Sequence, residues 1–102
     1  MGLTKAENFD HEQNAIAGIA RVLAHPARIA ILQYLIEVKR CVGVEIVDEI
    51  PLAQPTISRH LKELKNAGLI KGQIDGNRVN YCIDPLGWER LRILFGQFVN
   101  LI

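Results

Sequence analysis

Residues 54–67, Gln-Pro-Thr-Ile-Ser-Arg-His-Leu-Lys-Glu-Leu-Lys-Asn-Ala, followed by Gly68, decide how this chain is read. Ile57, Leu61 and Leu64 recur at i, i+4 and i+7, the spacing that puts side chains on one side of an α-helix. The opposite side carries Pro55, Ser58, Arg59, Lys62 and Asn66. Pro55 suits the first helical turn, and Gly68 supplies the C-terminal stop. A short helix with an apolar back and a cationic, hydrogen-bonding front has the shape that enters a DNA major groove. An ordinary solvated helix has the same pattern, so the flanking segments must separate the two.

Upstream, Val44 to Ile50 reads as a short helix halted by Pro51, and Leu52-Ala53 turn the chain into the helix above. A short helix, a tight turn and an amphipathic helix compose a helix-turn-helix over residues 44–67. Downstream, Leu69–Ile74 and Asn77–Ile83 are strand-like runs joined by Asp75-Gly76, a strong hairpin signal with a type I′ turn expected. Ile70 and Ile74 alternate with Lys71 and Gln73. Val79, Tyr81 and Ile83 alternate with Arg78, Asn80 and Cys82. One face should meet the core and the other solvent, which places Cys82 outward. A basic hairpin after a helix-turn-helix is a wing, here over residues 69–83.

Residues 26–38 are apolar almost all round. Ile29, Leu32 and Ile36 form one stripe, and Ile31, Leu35 and Val38 another. Such a helix is expected to be buried on most sides, as the central core element. Before it, residues 1–8 read as frayed. Asp10 to Leu23 reads as a helix with Ile16, Ile19, Ala20 and Leu23 in one stripe. Gly18 in that helix costs about 1 kcal/mol of propensity, which packing against another helix would offset. Asp84 and Pro85 are an N-cap and first-turn pair that starts a terminal helix over residues 85–101. Its face of Trp88, Leu91, Phe95, Phe98 and Ile102, widened by Leu94 and Leu101, exceeds what a small core absorbs. It is expected to form a dimer seam with Ile16, Ile19 and Leu23 of the first helix.

The chain has 102 residues, room for one core, and is taken as a single domain over residues 1–102 in the order α-α-α-α-β-β-α. No apolar run approaches the roughly 18–20 residues of a membrane span, and no secretory pattern opens the sequence. The expectation is a cytoplasmic protein without a membrane partner. Net charge is only +1, but residues 54–78 carry a local +3 and residues 25–53 a local −1. A basic patch on a near-neutral domain suits phosphate contact. Two cysteines, Cys41 and Cys82, are too few for a disulfide scaffold and are expected to be separate reduced thiols.

The strings LAHPARIAIL (23–32), QPTISRHLKELKNAGLI (54–70) and DGNRVNYCIDP (75–85), together with the element order, resemble the ArsR/SmtB family of winged helix-turn-helix repressors. The similarity spans roughly residues 12–100. It implies a homodimer held by the first and last helices, with two recognition helices in successive major grooves. It also implies an imperfect inverted-repeat DNA operator and repression of a promoter, commonly of an adjacent operon. By the same resemblance, the positions of Gln54, Pro55, Ser58 and Arg59 face the groove. Two departures stand out. Ala53 occupies a position where the family has a capping Ser, a loss of about 1 kcal/mol, and Pro55 removes a backbone donor. Metal-sensing members carry Cys-Val-Cys where this chain has Cys41-Val42-Gly43, and other members place Asp and His on the last helix, which has no His here. A soft-metal site needs two to four thiolates at short spacing. The expectation is therefore no metal and no cofactor, Cys41 alone remaining as a candidate ligand. The inducer is unknown.

Gln54 can reach an adenine edge and Arg59 a guanine, while Ser58 can bond base or phosphate. Thr56 and Lys62 are expected on phosphates, with Lys65 at the margin. Lys71 and Arg78 on the wing would meet backbone or minor groove. His60 lies toward the side of Ile57 and Leu64 and reads as structural or phosphate-touching. Arg28 leans structural. Ser58 and His60 face different ways, no carboxylate orients His60, and no phosphate-cradling glycine loop exists, so the chain does not read as an enzyme. The competing reading is a winged-helix module that binds protein without specific DNA binding. The cations of 59, 62 and 65 argue against it.

Overall fold

The computed structural model describes residues 6–102. Residues 1–5, part of the stretch read as frayed, lie outside the described residues. Ala6–Asn8 form a single 3-10 turn instead of a loose end. The Asn14 side-chain amide donates to the carbonyls of Ala6 (2.9 Å), Phe9 (3.2 Å) and Asp10 (3.1 Å), which holds that turn on the following helix.

That helix, α1, spans His11–Leu23. Its start is a reciprocal capping box: Asp10 Oδ1 accepts from the Gln13 N–H at 2.7 Å, and Gln13 Oε1 accepts from the Asp10 N–H at 3.0 Å. His25-Pro26 ends the helix run and opens α2, Pro26–Val38. Lys39, in the left-handed region at φ 56°, closes α2. Next come α3 (Val44–Glu49), α4 (Gln54–Asn66), β1 (Ile70–Asp75), β2 (Arg78–Ile83) and α5 (Pro85–Val99). The order matches the sequence reading.

Ile31, Leu32 and Leu35 of α2, Ile46 of α3 and Ile57, Leu61 and Leu64 of α4 form one buried cluster with Val42, Ile50, Leu69 and Ile70. The i, i+4, i+7 stripe of α4 is thus its core face, as its periodicity required. In the stripe of Ile29, Leu32 and Ile36, only Leu32 reaches the core. Ile29 and Ile36 are 38% and 44% exposed, so α2 is buried along one side only and not all round. Ala17 and Gly18 of α1 are also exposed, and a Cβ on Gly18 would meet nothing within 4 Å. The packing expected to offset that glycine is therefore not supplied among the described residues.

The hairpin pairs Ile70 with Ile83 through Asp75 with Arg78. This shifts the turn one residue from expectation: Asp75 is inside the ladder, and the two-residue loop is Gly76-Asn77. Gly76 has φ +63° and Asn77 stays out of the positive region, the pattern of a II′ turn in place of I′. Only the base of the wing reaches the core. Ile74 and Val79, assigned to the inward face, are 80% and 42% exposed because the strands run beyond the helices.

One pairing was absent from the sequence reading. Val42, between α2 and α3, forms an isolated antiparallel bridge with Tyr81 of β2. The Val42 N–H donates to the Tyr81 carbonyl (2.9 Å), and the Tyr81 N–H to the Val42 carbonyl (2.7 Å). In an antiparallel bridge the residues on either side oppose each other in turn, which brings Cys41 against Cys82. The two form a disulfide, with Cα atoms 4.3 Å apart. This corrects the expectation of two separate reduced thiols and of a Cys82 pointing away from Cys41.

Asp84 caps α5 as expected, its Oδ1 accepting from the N–H of Leu86 (3.0 Å) and of Gly87 (3.4 Å). Trp88 and Leu91 pack on the chain's own core, whereas Phe98 is 53% exposed and Ile102 fully so. Ile93, Val99 and Leu101 add to that exposed surface, and no residue of α5 is fully buried. No single helix among the described residues is long and apolar enough to cross a membrane.

Candidate nucleic-acid interface

The start of α4 has no side-chain cap: Ala53 sits at the N-cap, and its methyl side chain can neither donate nor accept. Its carbonyl takes the N–H of Thr56 (3.0 Å) and of Ile57 (3.1 Å). Pro55 has no N–H to offer, so the first turn of α4 presents one backbone donor fewer to an anion. With Ile57, Leu61 and Leu64 pinned in the core, Gln54, Pro55, Ser58, Arg59, Lys62 and Lys65 are all exposed, and Thr56 is half-buried. A 13-residue helix is about 20 Å long, enough to lie along a major groove about 12 Å wide.

The wing residues divide between two places. Arg78 shares a cleft of about 470 Å³ with Gln54 and Ser58, floored by Ile57 and Leu61 and closed on the α3 side by Val47 and Asp48. Lys71 instead lines a separate pocket beside Cys41 and Cys82. Lys65 reaches the wing: its ammonium lies 3.6 Å from where a Cβ on Gly72 would stand. Asp48 and Asn77 also line the cleft, and no motif in the sequence marks them for it. The α3–α4 crossing of a helix-turn-helix is the signal that could have placed Asp48 beside the cleft.

The geometry of the wing depends on Gly43. A Cβ there would stand 2.8 Å from both the Val79 carbonyl oxygen and Asn80 Oδ1. The absence of a second cysteine at this position therefore goes with close seating of the α2–α3 turn against β2. Glu45 secures the same turn. Its Oε1 accepts from the Gly43 N–H at 3.2 Å and its Oε2 from Arg40 at 3.5 Å. Backbone N–H groups of Glu45 and Gly43, then Arg40, hold that carboxyl below its ordinary range.

His60 turns inward. Its Nδ1 accepts from Arg28 Nε at 2.9 Å, while Arg28 Nη1 donates to the Val22 carbonyl at 3.1 Å. Arg28 is 8% exposed, so it links α1, α2 and α4 from inside the fold. The His25 ring lies 5.7 Å from that of His60. Burial first, then the positive charges of Arg28, His25 and Arg59, lower the His60 pKa. Glu63 shares the pocket around Arg28 and His25 but does not reverse this. The unfolded chain therefore takes up this proton at a higher pH than the folded one. Stability is expected to fall as pH drops below about 6.5, and to keep falling until the folded ring titrates. Urea unfolding of the parent and of His60→Gln, between about pH 5 and 7.5, checks this. The variant keeps an acceptor for Arg28 and should show a shallower acid slope. An unchanged slope would mean another group carries it.

Among the described residues, no group of three His, Cys, Asp or Glu side chains is placed to hold a metal ion. Cys41, the one candidate ligand, is committed to the disulfide.

The sequence family described as "Bacterial regulatory protein, arsR family" matches residues 25–71. The HTH-type transcriptional repressor SmtB of Mycobacterium tuberculosis is 46% identical over 68 residues, covering 67% of this chain and 50% of that protein. The chain thus spans about half the length of this curated relative. The crystal structure of M. tuberculosis Rv0081 superposes with a TM-score of 0.69 at 30% identity, covering 91% of this chain and 94% of that one. A solution structure of the homodimeric winged helix-turn-helix DNA-binding domain of Mb0332 from Mycobacterium bovis, described as a possible ArsR-family regulator, gives a TM-score of 0.68 at 25% identity. It covers 100% of this chain and 94% of that one.

Proposed function

Because the chain belongs to the ArsR family of bacterial regulatory proteins, we propose that it is a cytoplasmic, sequence-specific repressor that binds duplex DNA as a homodimer. Its operator is an imperfect inverted repeat, one half-site for each α4, and its regulated promoter belongs to an adjacent operon. The observation that carries this reading is that Gln54 and Ser58 of α4 share one cleft with Arg78 of the wing, on a helix whose Arg59, Lys62 and Lys65 are all exposed. Gln54, Ser58 and Arg59 read base edges in the major groove. Thr56, Lys62, Lys65, Lys71 and Arg78 hold phosphates and fix the register, with Pro55 packing at the helix start. His60 contributes from behind by its bond to Arg28.

The homodimer is supported by the exposed apolar end of α5, where Phe98 and Ile102 continue the line of Trp88, Leu91 and Phe95. Ile16 and Leu23 of α1 stay half-buried beside the buried Ile19 and widen that surface. Such a surface suits closed two-fold pairing. No cofactor is invoked, and the family's regulators are not enzymes.

A salt titration of duplex binding tests the proposal. Four cations per chain that meet phosphate give about eight per dimer, so log K against log salt should fall with a slope of about −4 to −7. Operator fragments can be taken from DNA next to the gene. A flat titration would reject the reading and leave the α4 face as a protein-binding surface.

A further inference from the structure

The disulfide between Cys41 and Cys82 lies against a pocket of about 490 Å³ between α2, the base of the wing and α5. The pocket is lined by Lys39, Arg40, Lys71 and Arg92 and by no acidic side chain. Arg40 is paired with Glu45, and Arg92 with Glu89. Lys39 and Lys71 have no acidic partner among the described residues. Both cysteines are half-buried, so the bond can be approached from this side. Trp88 and Ile36 give the pocket an apolar wall.

We propose that Cys41 and Cys82 form a reversible thiol–disulfide exchange site for small anionic thiols, and that its state sets how firmly the wing is held on the helix-turn-helix. A thiolate enters as an anion, and the exchange transition state spreads that charge over three sulfurs. Fixed cations beside the bond favour both, and they also favour the protein thiolates released. In the first step the small thiolate bonds to one cysteine sulfur, the Cys41–Cys82 bond breaks, and the other cysteine leaves as a thiolate. A second small thiolate then attacks the small-molecule sulfur of the mixed disulfide and frees the remaining cysteine. The protein disulfide gains two electrons and takes up two protons. Two small thiols are oxidised to one small disulfide, and the reverse reaction closes the bond.

Opening the bond changes the wing because of where the bond lies. It is the next link after the Val42–Tyr81 bridge, and together they tie the base of β2 to the residue before Gly43, where α3 begins. Without it, two backbone hydrogen bonds remain at that junction. Arg78 reaches the α4 cleft from the end of this tethered strand. The consequence for DNA rests on the repressor reading above: the oxidised form holds Arg78 in place and binds operator more tightly.

The test uses the full chain and reduced glutathione as the anionic probe, against cationic cysteamine. Each rate is scaled to that thiol's rate on a neutral small disulfide and read by alkylation and mass spectrometry. Glutathione should open the bond about tenfold faster than cysteamine on this scale, and the ratio should shrink in high salt and in Lys39→Asn. On reduction, the Val42 and Tyr81 amides should exchange hydrogen about tenfold faster or more, approaching their rates in the Cys41→Ser, Cys82→Ser double variant. Equal scaled rates, or a bond that opens only in denaturant, would overturn the exchange site. Unchanged amide protection would overturn the tether. If both redox forms bind operator equally while protection changes, control of DNA fails and the repressor reading stands. If neither form binds any duplex, the repressor reading fails, and the exchange site is still decided by its rates.

Discussion

Arg59→Ala is expected to cost about 2–6 kcal/mol of operator affinity per dimer, about 1–3 kcal/mol for each half-site, and much less on random DNA. Arg59 is exposed on the front of α4, behind which Ile57, Leu61 and Leu64 are fixed in the core, so its backbone position is set before DNA arrives. A guanidinium there can bond guanine O6 and N7 together, a contact that exists only on the right base pair. Arg78 provides the contrast. It closes the two-residue Gly76-Asn77 turn of a narrow ribbon whose outer residues Ile74 and Val79 are exposed, which suits backbone contact. Arg78→Ala should weaken operator and random DNA alike and reduce the salt slope by about two per dimer. Fluorescence anisotropy with both variants, both DNAs and a salt series measures this, with folding checked by thermal melting. Equal losses on both DNAs for Arg59→Ala would remove α4 from the role of base reader.

The parts of this arrangement that could be read from sequence are those governed by local periodicity. The α4 core stripe, the Asp84-Pro85 start of α5 and the Gly68 stop depend on residues within a turn or two of one another, and each stands where its spacing placed it. The exposure of 54, 58, 59, 62 and 65 follows from the same wheel. Long-range pairings were not legible. Arg28 and His60 meet across 32 positions, and nothing in either helix pattern joins them. Alternation along β2 placed Cys82 correctly on the side away from Tyr81, but took that side to be solvent. The Val42 bridge lays the α2–α3 turn along that strand, and Cys41 comes with it. The turn shift has a local cause: Asp75 fits a ladder as well as a loop, and only Gly76 needs the positive φ. The open stripe of α2, Ile29 and Ile36, reads as core by composition because composition does not say how many neighbours a small chain can supply.

Gly87→Ala is expected to destabilise the fold by about 3 kcal/mol, at or beyond the upper end of ordinary overpacking. A Cβ on Gly87 would overlap the carbonyl of Gly68, which is backbone, so no rotamer change relieves it. Gly68 cannot easily move either. It holds the left-handed turn at φ 78° that ends α4, and its neighbour Leu69 accepts from the Asp84 N–H at 3.0 Å. The clash must push α5 away, weakening the Asp84 cap on the Gly87 N–H and the seating of Trp88 and Leu91 on the core. Ala improves helix propensity over Gly by about 1 kcal/mol, which offsets only part of this. Gly96→Ala is the matched comparison in the same helix. Among the described residues a Cβ there meets nothing within 4 Å, so this variant should gain up to about 1 kcal/mol. Urea unfolding of the two variants and the parent reads both signs. A Gly87→Ala protein as stable as its parent would show that α5 does not rest on the end of α4. A Gly96→Ala protein that loses stability would point to a contact at Gly96 from outside the described residues, a second chain being the first to test, since none of the described residues would touch a Cβ there.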